Sequence, residues 1–177
     1  MPDDNPSQSI FGSRGESILG GSSYYGPQVV PPSKVFIVHG HNDALTYELS
    51  HYLQKVGLDV IIFREEVKRS QTVPEKLFDL AKKAGFAVAL LTADDVGSEK
   101  GALSWQPRAR QNVVFEMGLF IGMLGRQKVC AVYEPGIEWP SDLQGTQSVK
   151  YVKDGTWKYD VAREIDATGI TVDFRKL

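Results

Sequence analysis

From Lys34 onward the chain alternates short, continuous apolar runs with longer stretches whose apolar residues recur every three or four positions. "KVFIV" (34–38), "LDVIIF" (58–63), "FAVALL" (86–91) and "KVCAVY" (128–133) are of the first kind. They are too short for helices and too uniformly apolar for half-exposed strands, so each predicts a strand buried on both faces. "SVKYV" (148–152) predicts a fifth, weaker strand. Residues 43–57 place Leu45, Leu49, Tyr52, Leu53 and Val56 at helical spacing, closed by Gly57. Residues 72–85 predict a second helix, with Pro74 in its first turn and Gly85 after its end. The stretch 108–126, led in by Pro107, predicts a third helix, and 158–169 a fourth. Residues 1–33 are rich in Ser, Gly and Pro and show no apolar periodicity. Such a segment buries too little to offset its ordering entropy, which predicts a disordered tail or linker ahead of one domain over 34–177.

Repeated strand–helix units of this length predict an α/β fold: a five-stranded parallel sheet with helices on both faces. The flavodoxin-like order 2-1-3-4-5 leads. In such a sheet ligands bind beyond the carboxyl ends of the strands, where the order reverses between strands 1 and 3. The loops there are "HGHND" (39–43) and "TADDVG" (92–97), with "FREEVKRSQT" (63–72) flanking them. The third helix leaves from strand 3, so its first turns belong at the same end.

That helix raises the main chemical question. Between Asn112 and Arg126 nearly every side chain is apolar or glycine, yet Glu116 sits among them. An unpaired buried carboxylate costs several kcal/mol or becomes neutral. The spacing predicts that Glu116 faces inward, with Asn112 four residues earlier on the same face.

Composition narrows the classes. The chain has 177 residues, enough for one full core, and a formal net charge of -2, with 20 Lys and Arg against 22 Asp and Glu. No long basic run exists, which argues against a nucleic-acid partner. The single cysteine, Cys130, excludes an internal disulfide and fits a reducing compartment. No apolar run reaches membrane-spanning length and no signal-peptide pattern opens the chain, so a cytoplasmic protein without a membrane partner is expected. Dinucleotide-binding, P-loop and nucleophile-elbow glycine motifs are all absent. His39 and His41 form an H-x-H pair, but with one cysteine and no third histidine nearby no metal site is expected. Hydrogen bonds to backbone or ligand at the crevice are the expected use of these rings.

"KVFIVHGH", "FAVALLTADDVG", "RARQNVVFEMGLFIGMLGR" and "WPSDLQG" resemble the bacterial TIR-like predicted nucleotide-binding proteins. This is the TIR module fused to bacterial STING and used in other cyclic-nucleotide-triggered anti-phage systems. The resemblance runs from about Lys34 to Asp173. It implies a flavodoxin-like TIR fold and a cytoplasmic NADase (a hydrolase) that cleaves NAD+, as substrate rather than cofactor, to nicotinamide and ADP-ribose. It also makes the glutamate of the R-A-R-Q-N-V-x-F-E-x-G block, Glu116, the essential catalytic residue. Activity is implied to need a homo-oligomer or filament of TIR domains, driven by a fused or separate cyclic-nucleotide sensor.

Further substrate-binding candidates follow. His39, Gly40, His41 and Asn42 line the expected crevice, and Arg64 is placed to meet a phosphate or simply to be solvated. Trp105 either stacks on a ring or plugs the core. Arg110 and Asn112 either touch ligand or cap the helix and pair with "TADD". Asp94 and Asp95 read as turn-forming, Gly118 and Gly122 as close helix–sheet packing, Phe115 and Trp157 as core. The chain departs from the family pattern in having Asn42 where aspartate is common, Ala93 where proline is common, and "RSQTVPEKL" in the loop after strand 2. Three other functions share these features: a cyclase acting on the same ribosyl intermediate, a deoxyribosyltransferase-like enzyme, and a non-catalytic TIR adaptor or nucleotide-binding module.

Overall fold

The computed structural model describes residues 34–63, 73–143 and 145–177; the expected tail and Arg64 lie outside them. In chain order the elements are β1 (Lys34–Val38), α1 (Asp43–Lys55), β2 (Asp59–Ile62), α2 (Val73–Ala81) and β3 (Ala84–Leu91). There follow β4 (Asp95–Gly97), β5 (Gln106–Arg108), α3 (Gln111–Leu124), β6 (Val129–Tyr133), β7 (Gln147–Lys150) and α4 (Trp157–Asp166). Five strands make one sheet in the order β2-β1-β3-β6-β7, every pair parallel. Counting that sheet's strands alone, this is the expected 2-1-3-4-5 arrangement of the flavodoxin-like TIR fold.

The uniform apolar runs are explained by burial on both faces. Val35 and Ile37 of β1, Phe86, Val88 and Leu90 of β3, and Cys130 and Val132 of β6 point into one core layer. There they meet Leu45, Leu49 and Leu53 of α1 and Trp157, Val161 and Ile165 of α4. The alternate residues form the opposite layer, where Phe36, Ala87, Ala89 and Ala131 face Leu77 of α2 and Val113, Met117 and Phe120 of α3. The alanines of β3 and β6 leave space for α3, and Phe120 fills it against Phe36, ring centroids 4.5 Å apart. Burying each of these large side chains stabilises the fold by about 1.5–3 kcal/mol. Val113, Met117 and Phe120 thereby fix the rotation of α3 about its axis, and with it the direction of every other residue on that helix.

Several local expectations are corrected. Gly85 does not cap α2 but lies inside β3, where the register against β1 slips between Lys34 and Val35. Glycine without a side chain is suited to such a bulge. Gly57, at φ +90°, does end α1, its amide donating to Gln54 O. Pro107 is not a first-turn residue: it pairs with Val96 in a small antiparallel hairpin, and α3 begins only at Gln111. Strands of three residues are too short to show a period, so the proline signal outweighed them. Gly118 and Gly122 do not pack on the sheet; a Cβ built at either meets nothing within 4 Å. Phe115, on the same outer side of α3, is 66% exposed rather than core, whereas Trp157 is core as expected.

Cys130 is fully enclosed in β6, and burial, with Glu164 adding, pushes its thiol from 9.0 up to about 12. The folded protein should therefore not react with a thiol-specific dye at about pH 8, where an unfolded thiol does, and denaturant should release one reactive group. Because the folded thiol stays neutral while the unfolded one ionises, this group's contribution holds below about pH 9 and falls as pH rises toward 12. Rapid labelling of the folded protein would contradict the assigned packing.

Candidate active site

A cleft of about 380 Å³ opens at the carboxyl ends of the strands, beside the switch between β1 and β3. That volume falls within the usual range of small-ligand sites, about 300–1,000 Å³. One wall is the loop from β1 into α1, contributing His39, Gly40, His41 and Asp43. The opposite wall is the start of α3, contributing Arg110, Asn112, Val113 and Glu116, and Phe63 closes it from the end of β2. Candidates 77 positions apart in the chain, His39 and Glu116, are thus brought to one place by the sheet topology.

Glu116 is half-buried, not sealed in the core. With Val113, Met117 and Phe120 locked inward, Glu116 projects one helical step to the side, along the cleft wall. The expected cost of an enclosed carboxylate is therefore not incurred, and the apolar run around Glu116 reflects the packing of its neighbours. Asn112, four residues earlier, lines the same wall.

The β1–α1 loop is held by backbone hydrogen bonds on every side. Both ring nitrogens of His39 lie at carbonyls, Nδ1 2.9 Å from Gly40 O and Nε2 3.2 Å from Phe63 O. The ring ties the end of β1 to the end of β2; a neutral ring donates to one carbonyl, an imidazolium to both. Asn42 is a helix cap, its side-chain oxygen accepting from the Leu45 amide at 3.1 Å, and it does not line the cleft. The His41 amide donates to Asp94 Oδ2 at 2.9 Å, and the Thr92 hydroxyl donates to the same oxygen at 2.9 Å. A Cβ on Gly40 would stand 1.8 Å from that oxygen, so only glycine permits the contact.

Arg110 occupies the N-cap position of α3 without a side-chain capping bond. Instead its Nη1 donates to His41 Nε2. Since a guanidinium cannot accept, the His41 ring nitrogen is the acceptor in this contact. Trp105 neither plugs the core nor lines the cleft; it is 71% exposed just before β5. Asp95 belongs to the β4–β5 hairpin opposite Arg108, whose guanidinium lies where a Cβ on Gly97 would be. Sequence reasoning missed Asp43, Phe63 and Val113 as lining residues. The carboxyl-end rule points to Phe63, the residue that follows β2, and to Asp43, the last residue of the expected loop 39–43 after β1, but nothing in the spacing marks Val113. Among the described residues no three His, Cys, Asp or Glu side chains gather to hold a metal ion, and no helix is long and apolar enough to cross a membrane.

Residues 34–153 match the sequence family described as CAP12/Pycsar effector protein, TIR domain. An uncharacterized protein YuaY of Escherichia coli K12 is 38% identical over 140 residues, covering 79% of this chain and 47% of that protein. Protein tirC of Dictyostelium discoideum is 32% identical over 134 residues, covering 68% of this chain and 65% of its own length. The Pycsar effector protein BcPycTIR of Burkholderia cepacia is 46% identical over 72 residues, covering 39% of this chain and 23% of its own. The chain spans less than two thirds of the length of each of these relatives.

Replacing Gly40 by alanine should displace the Asp94 carboxylate and break its bonds to His41 and Thr92. Losing them costs about 1–3 kcal/mol, or about 3–10 °C in melting temperature. Amide exchange at His41 should accelerate in parallel. An unchanged melt with a protected His41 amide would show that the close approach is not required.

Proposed function

The chain belongs to the TIR-domain family of CAP12/Pycsar effectors, and from that premise we propose that it is an NAD+ glycohydrolase serving as an anti-phage effector. The observation that carries the reading is the placement of Glu116 in one cleft with Arg110 and the His39–His41 loop. A carboxylate beside a guanidinium matches a substrate that carries a positive nicotinamide ring on one side and a negative pyrophosphate on the other.

In the reaction, the bond between the ribose anomeric carbon and the nicotinamide nitrogen breaks, and its electron pair leaves with nicotinamide. The leaving group is cationic while bonded and departs neutral, so no acid is needed to protonate it. The positive charge passes to the ribose as an oxocarbenium-like centre, where a carboxylate stabilises it, as in sugar hydrolysis. Glu116 supplies that carboxylate, either as a fixed negative charge against the ribose or by transient bonding to it. Water then adds to the anomeric carbon, ADP-ribose forms, and one proton goes to solvent. Because Glu116 is half-exposed, its full electrostatic effect develops when the substrate displaces water and lowers the local dielectric. NAD+ is consumed as substrate, and no cofactor enters the scheme.

Activity is proposed to depend on assembly of several copies, driven by a cyclic-nucleotide sensor that is fused or separate. Supporting this, α3 presents Phe115 beside two glycines on its outer side, and Val96, Leu103 and Trp105 expose further apolar area around the β4–β5 hairpin.

Nicotinamide release from NAD+ should rise more steeply than protein concentration and should increase with a crowding agent. Glu116→Gln, which keeps shape and removes charge, should lower turnover by about a hundredfold or more, the usual size of losing a principal electrostatic stabiliser. Binding of NAD+ without release at any concentration would favour the adaptor reading. Wild-type turnover in Glu116→Gln would remove the proposed role.

A further inference from the structure

We infer that Asp94 is the positioning residue of this cleft: it fixes His41 so that the His41 ring aims the Arg110 guanidinium at the pyrophosphate of a dinucleotide. The inference rests on the reading of the cleft as an NAD+ site and concerns how its anionic end is held. Asp94 itself does not line the cleft. It acts from behind the loop, through two residues that do.

The arrangement begins at the end of β3. The Asp94 amide donates to Thr92 O at 2.8 Å, curling the chain so that the carboxylate meets the Thr92 hydroxyl. Glu134, just after β6, grips the same turn from the other side. Its Oε2 accepts from the Ala93 amide at 2.8 Å, and its own amide donates to Leu91 O at 3.0 Å. Leu91 and Ala93 are thus both held by Glu134 before Asp94 reaches the β1–α1 loop.

From that fixed base the carboxylate takes the His41 amide proton, a charge-assisted bond of the stronger kind. Gly40 makes the contact possible, and the Arg110 side chain packs beside it, its Cδ 3.4 Å from where a Cβ would stand. Asp94, Gly40 and Arg110 therefore converge on one point of the loop. The His41 ring then accepts from Arg110 Nη1, occupying one of five guanidinium donors. Among the described residues no carboxylate forms an ion pair with Arg110. A guanidinium steered by the His41 ring keeps its charge for a ligand, and its forked donors match phosphoryl oxygens.

The test is a double-mutant cycle on the full chain with Asp94→Ala, Arg110→Ala and the combined variant. Two quantities are read for each: kcat and KM for nicotinamide release from NAD+, and the dissociation constant of ADP-ribose by calorimetry. Asp94→Ala should lower kcat/KM about tenfold or more, mainly through KM, the size of losing a charge-assisted hydrogen bond. In the Arg110→Ala background the same substitution should change kcat/KM and ADP-ribose affinity by less than about twofold. Asp94→Asn, which keeps one oxygen acceptor, should recover part of the loss, and it replaces Asp94→Ala in the cycle if that variant melts below assay temperature. Additive losses in both assays overturn the positioning role and leave the cleavage reading standing. A non-additive pattern in ADP-ribose binding, in a wild type that releases no nicotinamide, overturns cleavage and upholds positioning. Neither release nor ADP-ribose binding by the wild type counts against both.

Discussion

One close approach organises the functional end of this molecule: the Asp94 carboxylate lies where any side chain on residue 40 would have to be. Because of it, the loop leaving β1 and the turn leaving β3 are held as a single piece at the point where the sheet reverses its order. The cleft needs both. Its loop wall is held at the Asp94 contact, and its helix wall is set by Val113, Met117 and Phe120 packing on the alanines of β3 and β6. Glu116 faces the cleft as a consequence of those three neighbours, and Arg110 does so because His41 receives it. Position in the cleft is therefore inherited from core packing on one side and a charged hydrogen-bond cluster on the other.

Much of this was legible in the sequence. The five buried strands carried their signal in continuous apolar runs, and a parallel sheet with short crossovers admits few orders, so the topology followed. The carboxyl-end rule then placed His39, Gly40, His41, Arg110, Asn112 and Glu116 together, and all six line one cleft. Less legible was whatever depends on a neighbour distant in the chain. Asn42 stood in the right loop, but its side chain is committed to capping α1. Trp105 lies in a hairpin whose strands are only three residues long, below what a periodic pattern can reveal. The two glycines of α3 read as packing residues because their spacing fits that use equally well, and only the rotation of the helix decides which side they face.

The degree of burial of Glu116 changes how its chemistry is understood. A carboxylate sealed in a core would have to be neutral or paired, and neither state suits the stabilisation of a developing cation. A half-exposed carboxylate on a rigid helix gains electrostatic strength when substrate excludes water. The departure at Asn42 is of small consequence in the same light. Asparagine and aspartate are both strong N-caps, so the start of α1 and the loop before it are preserved.

The measurement closest to the central claim is a crystal structure of the chain with a carbocyclic NAD+ analogue, which cannot form the oxocarbenium centre and so stays intact. The account predicts the ribose-like ring within hydrogen-bonding distance of the Glu116 carboxylate, with the pyrophosphate against Arg110. An analogue seated elsewhere, with the cleft between the His39–His41 loop and α3 left open, would contradict it.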